Sequence, residues 1–250
     1  MLTLKRIEMY MIIKNIINRF YKRYIYKLIK SPIYYKKGSS LWLSAVEKKY
    51  GGYVTGVKRR KVSDMDPRSL TEIKTGGMTG GDRMFFHSYG DFYAFYLKDY
   101  FQNENIDLTI VEIGILRGSG LALWSEAFPN ATIYGFDIDL SHTQDNLDYL
   151  KKLGAFLKAD PKLFYFDQFK SNNVEVINIL NGRKIDIAID DGFHSDETIL
   201  KTFNILRESF AEKFVYFIED SYTAYDILKI HCTEFEIFSH GQLTVVKSKL

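Results

Sequence analysis

The chain has 250 residues, of which 46% are hydrophobic and 26% are charged, and these proportions are typical of a folded globular protein. They exclude a collagen-like or wholly disordered chain, and the single cysteine, Cys232, excludes an internal disulfide and a cysteine-rich zinc site. The early apolar run from Met9 to Ile13 stops at Lys14, so we expect no secretory signal, no membrane-spanning helix and a cytoplasmic location.

Positive charge is concentrated in the first quarter of the chain. Residues 1–61 carry 16 lysines and arginines against two acids, Glu8 and Glu47, whereas the remainder carries 18 against 29. The formal charges of the two parts are therefore about +14 and about −11. We interpret this pattern as a basic arm on an acidic body, and the sequence leaves open whether the arm faces lipid, nucleic acid or the body itself.

The first predicted element is a helix over residues 9–30, because apolar pairs alternate there with polar pairs, and Pro32 ends it. The repeat of four residues makes the apolar stripe wind by about 160° around the helix. A winding stripe favours a helix packed on its own domain or on a partner subunit of a homo-oligomer. A peripheral contact of this basic segment with the inner face of a membrane stays open.

Paired glycines mark the region that follows. They lie at positions 51–52, 76–77 and 80–81 and predict a linker or a lid over residues 51–82. We therefore divide the chain into a basic helical arm with its linker, residues 1–75, and a compact domain, residues 76–250.

Short β-branched runs alternate with helical segments from residue 108 onward. The predicted strands are Leu108–Ile113, Thr132–Phe136, Ile185–Ile189 and Phe214–Ile218. The predicted helices are Ser119–Ala127, His142–Leu153, Asn172–Leu180 and Ser195–Phe210. This alternation predicts an α/β fold with a Rossmann-like, doubly wound and mostly parallel sheet. Two further runs, Glu234–Ser239 and Leu243–Lys247, predict a C-terminal antiparallel hairpin.

A glycine-rich turn follows the first predicted strand. Gly114 and Gly118 would let the backbone approach a ligand closely, and the helix that follows offers unpaired N–H groups. The second predicted strand ends in Asp137-Ile138-Asp139, about 20 residues downstream, where a carboxylate can accept hydrogen bonds from both ribose hydroxyls of a nucleotide. Together these features predict an adenosine site.

The glycine spacing favours one adenosine cofactor over others. It is G-x-x-x-G-x-G and differs from the dinucleotide pattern G-x-G-x-x-G, and Glu112 lies two residues before Gly114. A carboxylate at that position suits an ammonium group better than a pyrophosphate. The pattern therefore favours S-adenosylmethionine over NAD, and the absence of a G-x-x-x-x-G-K-[ST] loop argues against P-loop nucleotide hydrolysis.

Acidic residues follow the third and fourth predicted strands, which end in Asp190-Asp191-Gly192-Phe193-His194 and in Glu219-Asp220. If the two strands are neighbours, these carboxylates meet at one rim and repel one another unless a hard cation such as Mg²⁺ neutralises them. His194 is then a candidate general base. Alternatively, Asp190 and Asp191 cap the next helix and His194 is an ordinary loop residue.

Five blocks of the sequence, in this order and spacing, resemble a known family. They are GGDRMFFHSYGDFY (80–93), VEIGILRGSGLALWSEAFPNATIYGFDID (111–139), FDQ (166–168), IAIDDGFH (187–194) and FIEDSYTAY (217–225). The chain resembles the class I S-adenosylmethionine-dependent methyltransferases, and specifically the metal-dependent sugar O-methyltransferases of the mycinamicin and macrocin type. The resemblance does not cover residues 1–75.

This resemblance implies roles for individual residues. The implied Mg²⁺ ligands are Asp191, Glu219 and Asp220, and the implied catalytic base is His194. The implied contacts with S-adenosylmethionine are Glu112, Gly114, Asp137 and Asp167, with the Tyr89 region closing over the cofactor. Gly118 and Asp190 are further candidate cofactor-binding residues. The family usually has Ser in place of Phe193 and Thr-Asp-Lys in place of Gly81-Asp82-Arg83, and these departures concern the choice of substrate.

The implied reaction is methylation of a sugar hydroxyl, and we hypothesise a nucleotide-activated or lipid-linked sugar of a bacterial surface polysaccharide as the acceptor. Three other functions stay open at this point. They are methylation of RNA or protein with the arm on phosphates, binding of S-adenosylmethionine without catalysis in a partner subunit, and NAD-linked oxidation.

Overall fold

The computed structural model describes residues 21–22, 24–51, 81–103 and 105–249. Most of the helix predicted over residues 9–30 and nearly all of the predicted linker lie outside these residues. Residues 21–22 and 24–28 are helical, as predicted, and a 3₁₀ turn, Pro32–Tyr34, follows them. Among the described residues, no helix is both long enough and apolar enough to cross a bilayer.

The helices are α1 (Ser40–Tyr50), α2 (Gly90–Tyr96), α3 (Lys98–Phe101), α4 (Ser119–Ala127), α5 (Ser141–Lys152), α6 (Asn173–Leu180), α7 (Asp196–Leu206) and α8 (Ala224–His231). The strands are β1 (Thr109–Ile113), β2 (Thr132–Asp137), β3 (Lys162–Tyr165), β4 (Ile185–Asp190), β5 (Phe210–Ile218), β6 (Phe235–His240) and β7 (Leu243–Ser248).

The strands form one sheet in the order β3-β2-β1-β4-β5-β7-β6. The pairs among β1 to β5 are parallel, and β7 pairs antiparallel with both β5 and β6. This confirms the predicted α/β class, the mostly parallel sheet and the C-terminal hairpin. The strand order reverses direction between β1 and β4, and ligands bind at such a point in doubly wound sheets, outside the carboxyl ends of the strands.

Both faces of the sheet are buried, which explains the β-branched runs that made its central strands predictable. Within β5, Val215 and Phe217 pack into one core cluster, whereas Tyr216 and Ile218 pack into the other. Successive side chains of a strand point to opposite faces, so a strand buried on both sides reads as an unbroken apolar run. Strand β3 lies at the sheet edge with no fully buried side chain, and it was not predicted.

Several boundaries differ from the prediction. Strand β5 begins at Phe210, four residues before the predicted start at Phe214, because α7 ends at Leu206 and a 3₁₀ turn, Arg207–Ser209, connects it to the strand. Helices α1, α2, α3 and α8 were not predicted.

Helix α1 lies before the predicted start of the compact domain at residue 76, yet it belongs to the core of the sheet. Its side chains Leu43 and Tyr50 are fully buried in the same cluster as Trp124 of α4. The Ser39 side chain accepts a hydrogen bond from the Trp42 backbone N–H and begins the helix. The core therefore includes residues on the N-terminal side of the predicted boundary.

Candidate active site

The acidic residues of the two predicted motifs meet at the carboxyl ends of β4 and β5. In the parallel register of these strands, Asp190 pairs with Ile218, and the Glu219 N–H donates to the Asp190 carbonyl at 3.0 Å. The Asp191 N–H donates to the Ile113 carbonyl of β1 at 2.9 Å. The sheet ladder thus continues to the point where the acids begin and places them at one rim, as the sequence predicted.

A candidate metal cluster is formed by Asp191, His194 and Asp220. One ligand atom from each residue lies within 4.8 Å of the others, and all three residues are half-buried. His194 Nε2 lies 3.6 Å from Oδ1 of Asp191. Both His194, at φ 63°, and Asp220, at φ 55°, adopt left-handed backbone conformations that are costly for residues other than glycine and that often accompany functional sites.

Glu219, the third predicted metal ligand, is not one of the three residues of this cluster. It is 2% exposed, accepts a 2.5 Å hydrogen bond from the Tyr93 hydroxyl, and lies 2.8 Å from Arg83 Nε. Burial raises the pKa of Glu219, although Arg83 acts in the opposite direction. The structure therefore brings two of the three predicted ligands together and gives Glu219 protein partners, and its role as a ligand stays a prediction.

Arg83 is a buried cation at the centre of the acidic rim. Its guanidinium donates to Glu112 at 2.8 Å, to Asp191 at 3.1 Å and to Glu219 at 2.8 Å, and the residue is 8% exposed. A buried charge is tolerated only when it is paired, and here three carboxylates supply the pairing. Arg83 departs from the family pattern and was not predicted to be a site residue.

His87 and Tyr89 contact the candidate cluster from the same segment. The Tyr89 hydroxyl donates to Oδ1 of Asp220 at 2.7 Å, and His87 Nδ1 lies 3.2 Å from the same oxygen. Hydrogen bonds with Asp220 and Asp82 raise the pKa of His87 to about 11, so this imidazole is protonated at neutral pH. Burial tends to raise the pKa of Asp220, but the bonds from His87 and Tyr89 outweigh it and lower the pKa to about 2.

Two cations thus face four carboxylates at the rim. Arg83 and protonated His87 lie among Glu112, Asp191, Glu219 and Asp220. Burial raises the pKa of Asp191, Arg83 opposes this shift and Asp220 adds to it. A pair of partly exposed carboxylates and an imidazole is a donor set that suits a divalent cation.

The predicted adenosine side lies between the ends of β1 and β2. The carboxylate of Asp137 accepts hydrogen bonds from the backbone N–H groups of Leu116 and Asp139, each at 3.0 Å. Gly114 adopts φ 79°, and a side-chain Cβ there would lie 2.1 Å from the Asp191 carbonyl oxygen. Only glycine lets the turn pass this close to the acidic loop. Gly118 is the N-cap residue of α4.

Three other predicted cofactor contacts already have protein partners, and they are Glu112, Asp167 and Asp190. Glu112 accepts hydrogen bonds from Arg83 and from the Trp124 indole at 3.1 Å, and Gly120 makes room for its carboxylate. Their contact with a cofactor stays a prediction.

The other two buried carboxylates are Asp167 and Asp190. Asp190 accepts from Gln168 at 3.1 Å and from Tyr216 at 3.0 Å. Asp167 is 4% exposed and accepts from the Phe169 N–H at 2.9 Å. These bonds shape the loops after β3 and β4.

Three residues of the site were not predicted from the sequence: Arg83, His87 and Tyr93. All three lie in the block 80–93, which was recognised as a unit. The signal that was available is the density of polar and aromatic residues in that block. Their partners Glu219 and Asp220 follow β5 and lie more than 120 residues away along the chain, so the sequence alone does not show which of them turn inward.

No model of a protein family matches the sequence. Mycinamicin VI 2''-O-methyltransferase of Micromonospora griseorubida is 28% identical over 151 residues, which is 56% of this chain and 33% of that protein. The chain therefore spans about a third of the length of this curated relative.

A solved structure of the MycE methyltransferase, in complex with Mg, SAH and mycinamycin VI, is similar with a TM-score of 0.52 and 22% identity. The match covers 72% of this chain and 53% of the MycE chain. This likeness shows that the two proteins share a fold.

Proposed function

We propose that this chain, which has the Rossmann-like fold of class I methyltransferases and resembles MycE, transfers a methyl group from S-adenosylmethionine to a sugar hydroxyl with the aid of Mg²⁺ or another divalent cation. The observation that supports this best is the meeting of Asp191, His194 and Asp220 beside the glycine turn of β1. The name of the curated relative specifies O-methylation, and the solved MycE complex holds Mg.

Asp191 and Asp220 are the residues that we assign to the cation, with Glu219 as the predicted third ligand. When bound, the cation would supply positive charge that acidifies a sugar hydroxyl and fixes its orientation. The two carboxylates would bind the cation. Asp220 belongs to the cluster and has a left-handed backbone conformation.

We assign the role of general base to His194. Its ring lies within reach of the cluster and is 19% exposed, so a substrate hydroxyl can approach it. An imidazole nitrogen would accept the proton as the hydroxyl oxygen attacks the methyl carbon, and the bond between that carbon and the sulfonium sulfur would break to release S-adenosylhomocysteine. Asp191, which lies 3.6 Å from Nε2, orients the ring and stabilises the imidazolium that results.

The cofactor is assigned to the ends of β1 and β2. Asp137 would accept hydrogen bonds from the ribose hydroxyls. The turn through Gly114 and Gly118 lets the backbone approach the methionine portion of the cofactor. The carboxylate of Glu112 pairs with the charge of Arg83. Tyr89 and Asp167 shape the two sides of the cleft.

The acceptor that we propose is a nucleotide-activated or lipid-linked sugar of a bacterial surface polysaccharide. Support comes from an exposed face on the N-terminal segment, which we call the N-terminal face. Its apolar members are all more than half exposed: Tyr21, Tyr24, Leu28, Ile33 and Tyr34. Residues 9–46 contain eight lysines and arginines and no acid. Exposed aromatics among basic residues favour contact with an anionic lipid surface.

Transfer of radiolabelled methyl groups from S-adenosylmethionine tests the reaction. The acceptors are nucleotide sugars and lipid-linked sugars, each with Mg²⁺ and with excess chelator. Transfer that requires the divalent cation supports the proposal. Transfer that ignores the chelator removes the metal from the mechanism, and transfer to RNA or protein alone overturns the choice of a sugar.

Sedimentation with vesicles tests the N-terminal face. The protein should bind vesicles of phosphatidylcholine with phosphatidylglycerol and not vesicles of phosphatidylcholine alone. The pair Tyr24→Ser and Leu28→Ser should abolish this binding, whereas Leu157→Ser, at a residue that is 87% exposed elsewhere, should not. Equal binding by all three proteins would contradict a role for this face.

A further inference from the structure

Arg83 and the candidate metal cluster share a carboxylate. The Arg83 Nη2 atom lies 3.1 Å from Oδ2 of Asp191, and Oδ1 of the same carboxylate faces His194. A divalent cation held by Asp191 would therefore lie close to a guanidinium that cannot lose its charge. Two positive charges near one another in a poorly solvated site oppose each other strongly.

Arg83 also forms an ion pair with Glu219, which was predicted to be a metal ligand. Its Nε atom lies 2.8 Å from the Glu219 carboxylate, and the Tyr93 hydroxyl takes a position on the same group. Because Glu219 is 2% exposed, water cannot replace these partners. Arg83 thus pairs with three acids of the rim, which are Glu112, Asp191 and Glu219.

We propose that Arg83 is an internal counter-ion that holds the rim together without metal and competes with the divalent cation for Asp191 and Glu219. The residue is a positioning residue and touches no reacting atom. In this arrangement the affinity for the cation is set by the difference between its attraction to the carboxylates and its repulsion by Arg83. The inference rests on the metal centre of the proposed function, but not on methyl transfer.

Removal of the Arg83 charge should lower the stability of the metal-free protein and raise its affinity for the cation. Without Arg83, buried carboxylates lose their partner, so the metal-free protein becomes less stable. In the variant no fixed positive charge lies beside the bound cation, whereas in the wild-type protein the tethered guanidinium remains nearby. The cation therefore binds more tightly to the variant than to the wild-type protein.

Calorimetric titration of Mg²⁺ into Arg83→Gln, followed by thermal melts with and without Mg²⁺, tests the competition. We expect affinity at least about tenfold tighter than wild type and a lower melting temperature without metal. Arg83→Lys, which keeps the charge, should stay within about threefold of wild type in affinity. Arg207→Gln is the matched control, because Arg207 forms an exposed ion pair with Glu234 at 2.6 Å. Unchanged or weaker binding by Arg83→Gln would overturn the inference.

A measurement on the wild-type protein decides the question even if Arg83→Gln fails to fold. The Nε–H resonance of Arg83, assigned by its loss in Arg83→Lys, should shift as Mg²⁺ is added and saturate with the cation. An unchanged resonance at saturating Mg²⁺ would overturn the inference and leave the proposed methyltransferase intact. If neither wild type nor Arg83→Gln binds Mg²⁺ or Mn²⁺, both the inference and the metal centre of the proposed function fail.

Discussion

The hydroxyl of Tyr89 donates a 2.7 Å hydrogen bond to Oδ1 of Asp220 and joins the segment that precedes α2 to the end of β5. The two residues are 131 positions apart in the sequence. The same segment supplies Arg83 and His87, so one stretch of chain covers the acidic rim and provides all the cations described around it. This segment, together with the ends of β4 and β5, builds the candidate site.

Tyr89→Phe removes this hydrogen bond and keeps the ring. Asp220 is about a third exposed, so water replaces part of the lost interaction, and we expect a loss of about 1 kcal/mol in the free energy of unfolding. The pKa of Asp220 should rise, because one of the bonds that lower it is gone. Urea denaturation compares the variant with Tyr165→Phe, a change at an exposed tyrosine. Equal stability of the two variants would refute the contribution of the bond.

His194→Ala tests the general base. Loss of a positioned base reduces turnover by about 10²–10⁴-fold, and binding of S-adenosylhomocysteine and Mg²⁺ should persist. The matched control is His231→Ala, because His231 is exposed at the end of α8 and far along the chain from the motif. Normal turnover would remove His194 from the mechanism. A loss of Mg²⁺ binding would instead identify His194 as a ligand, in line with its place in the cluster.

Asp191→Asn tests the metal centre. An amide carries no charge, so we expect a rise of about tenfold or more in the Mg²⁺ concentration that gives half-maximal methyl transfer. Affinity for S-adenosylhomocysteine should change much less. Asp160→Asn is the control, because Asp160 forms only an exposed pair with Lys151. If the activity of Asp191→Asn shows the wild-type dependence on Mg²⁺, Asp191 does not bind the cation.

Glu47 gives a prediction for stability that is independent of substrate. It is 3% exposed and accepts hydrogen bonds from the backbone N–H groups of Met84 and Phe85 at 2.8 and 3.3 Å. Burial raises its pKa to about 7, against a weaker opposing effect of these bonds. The folded state therefore holds this proton more tightly than the unfolded state, and the stabilisation is lost as pH rises through the folded pKa.

Denaturation of wild type and Glu47→Gln at about pH 4 and about pH 8 measures this effect. Relative to the variant, wild type should lose on the order of 3 kcal/mol between the two conditions. Glu197→Gln, at an exposed side chain of α7, should show no such change. A constant difference between wild type and Glu47→Gln at both pH values would show that Glu47 keeps an ordinary pKa.

The elements that the sequence predicted share a physical cause. Strands buried on both faces give unbroken apolar runs, and helix α6 begins with a capping box between Asn172 and Glu175 that can be read locally. Strand β3 was missed because it is short and partly exposed at the sheet edge. The residues that close the site could not be placed, since the contact of Arg83 with Glu219 spans 136 positions and depends on the completed fold.

The sequence alone also could not show which of the adjacent acids is buried and which is partly exposed at the candidate site. Asp190 and Asp191 are adjacent and chemically identical, yet Asp190 is 2% exposed and bonded to Tyr216, whereas the Asp191 side chain is 34% exposed beside His194. Alternation along the strand end turns one toward the core and the other toward the cleft. Only the register of β4 against β5 decides which is which.

Binding of S-adenosylhomocysteine, followed by thermal melts with Mg²⁺ and with excess chelator, tests the central claim most directly. A metal-dependent methyltransferase should melt at a higher temperature with S-adenosylhomocysteine, and Mg²⁺ should add to that shift. A shift without a metal effect would retain the cofactor and contradict the role of Asp191 and Asp220. The absence of any shift under all conditions would contradict the methyltransferase account.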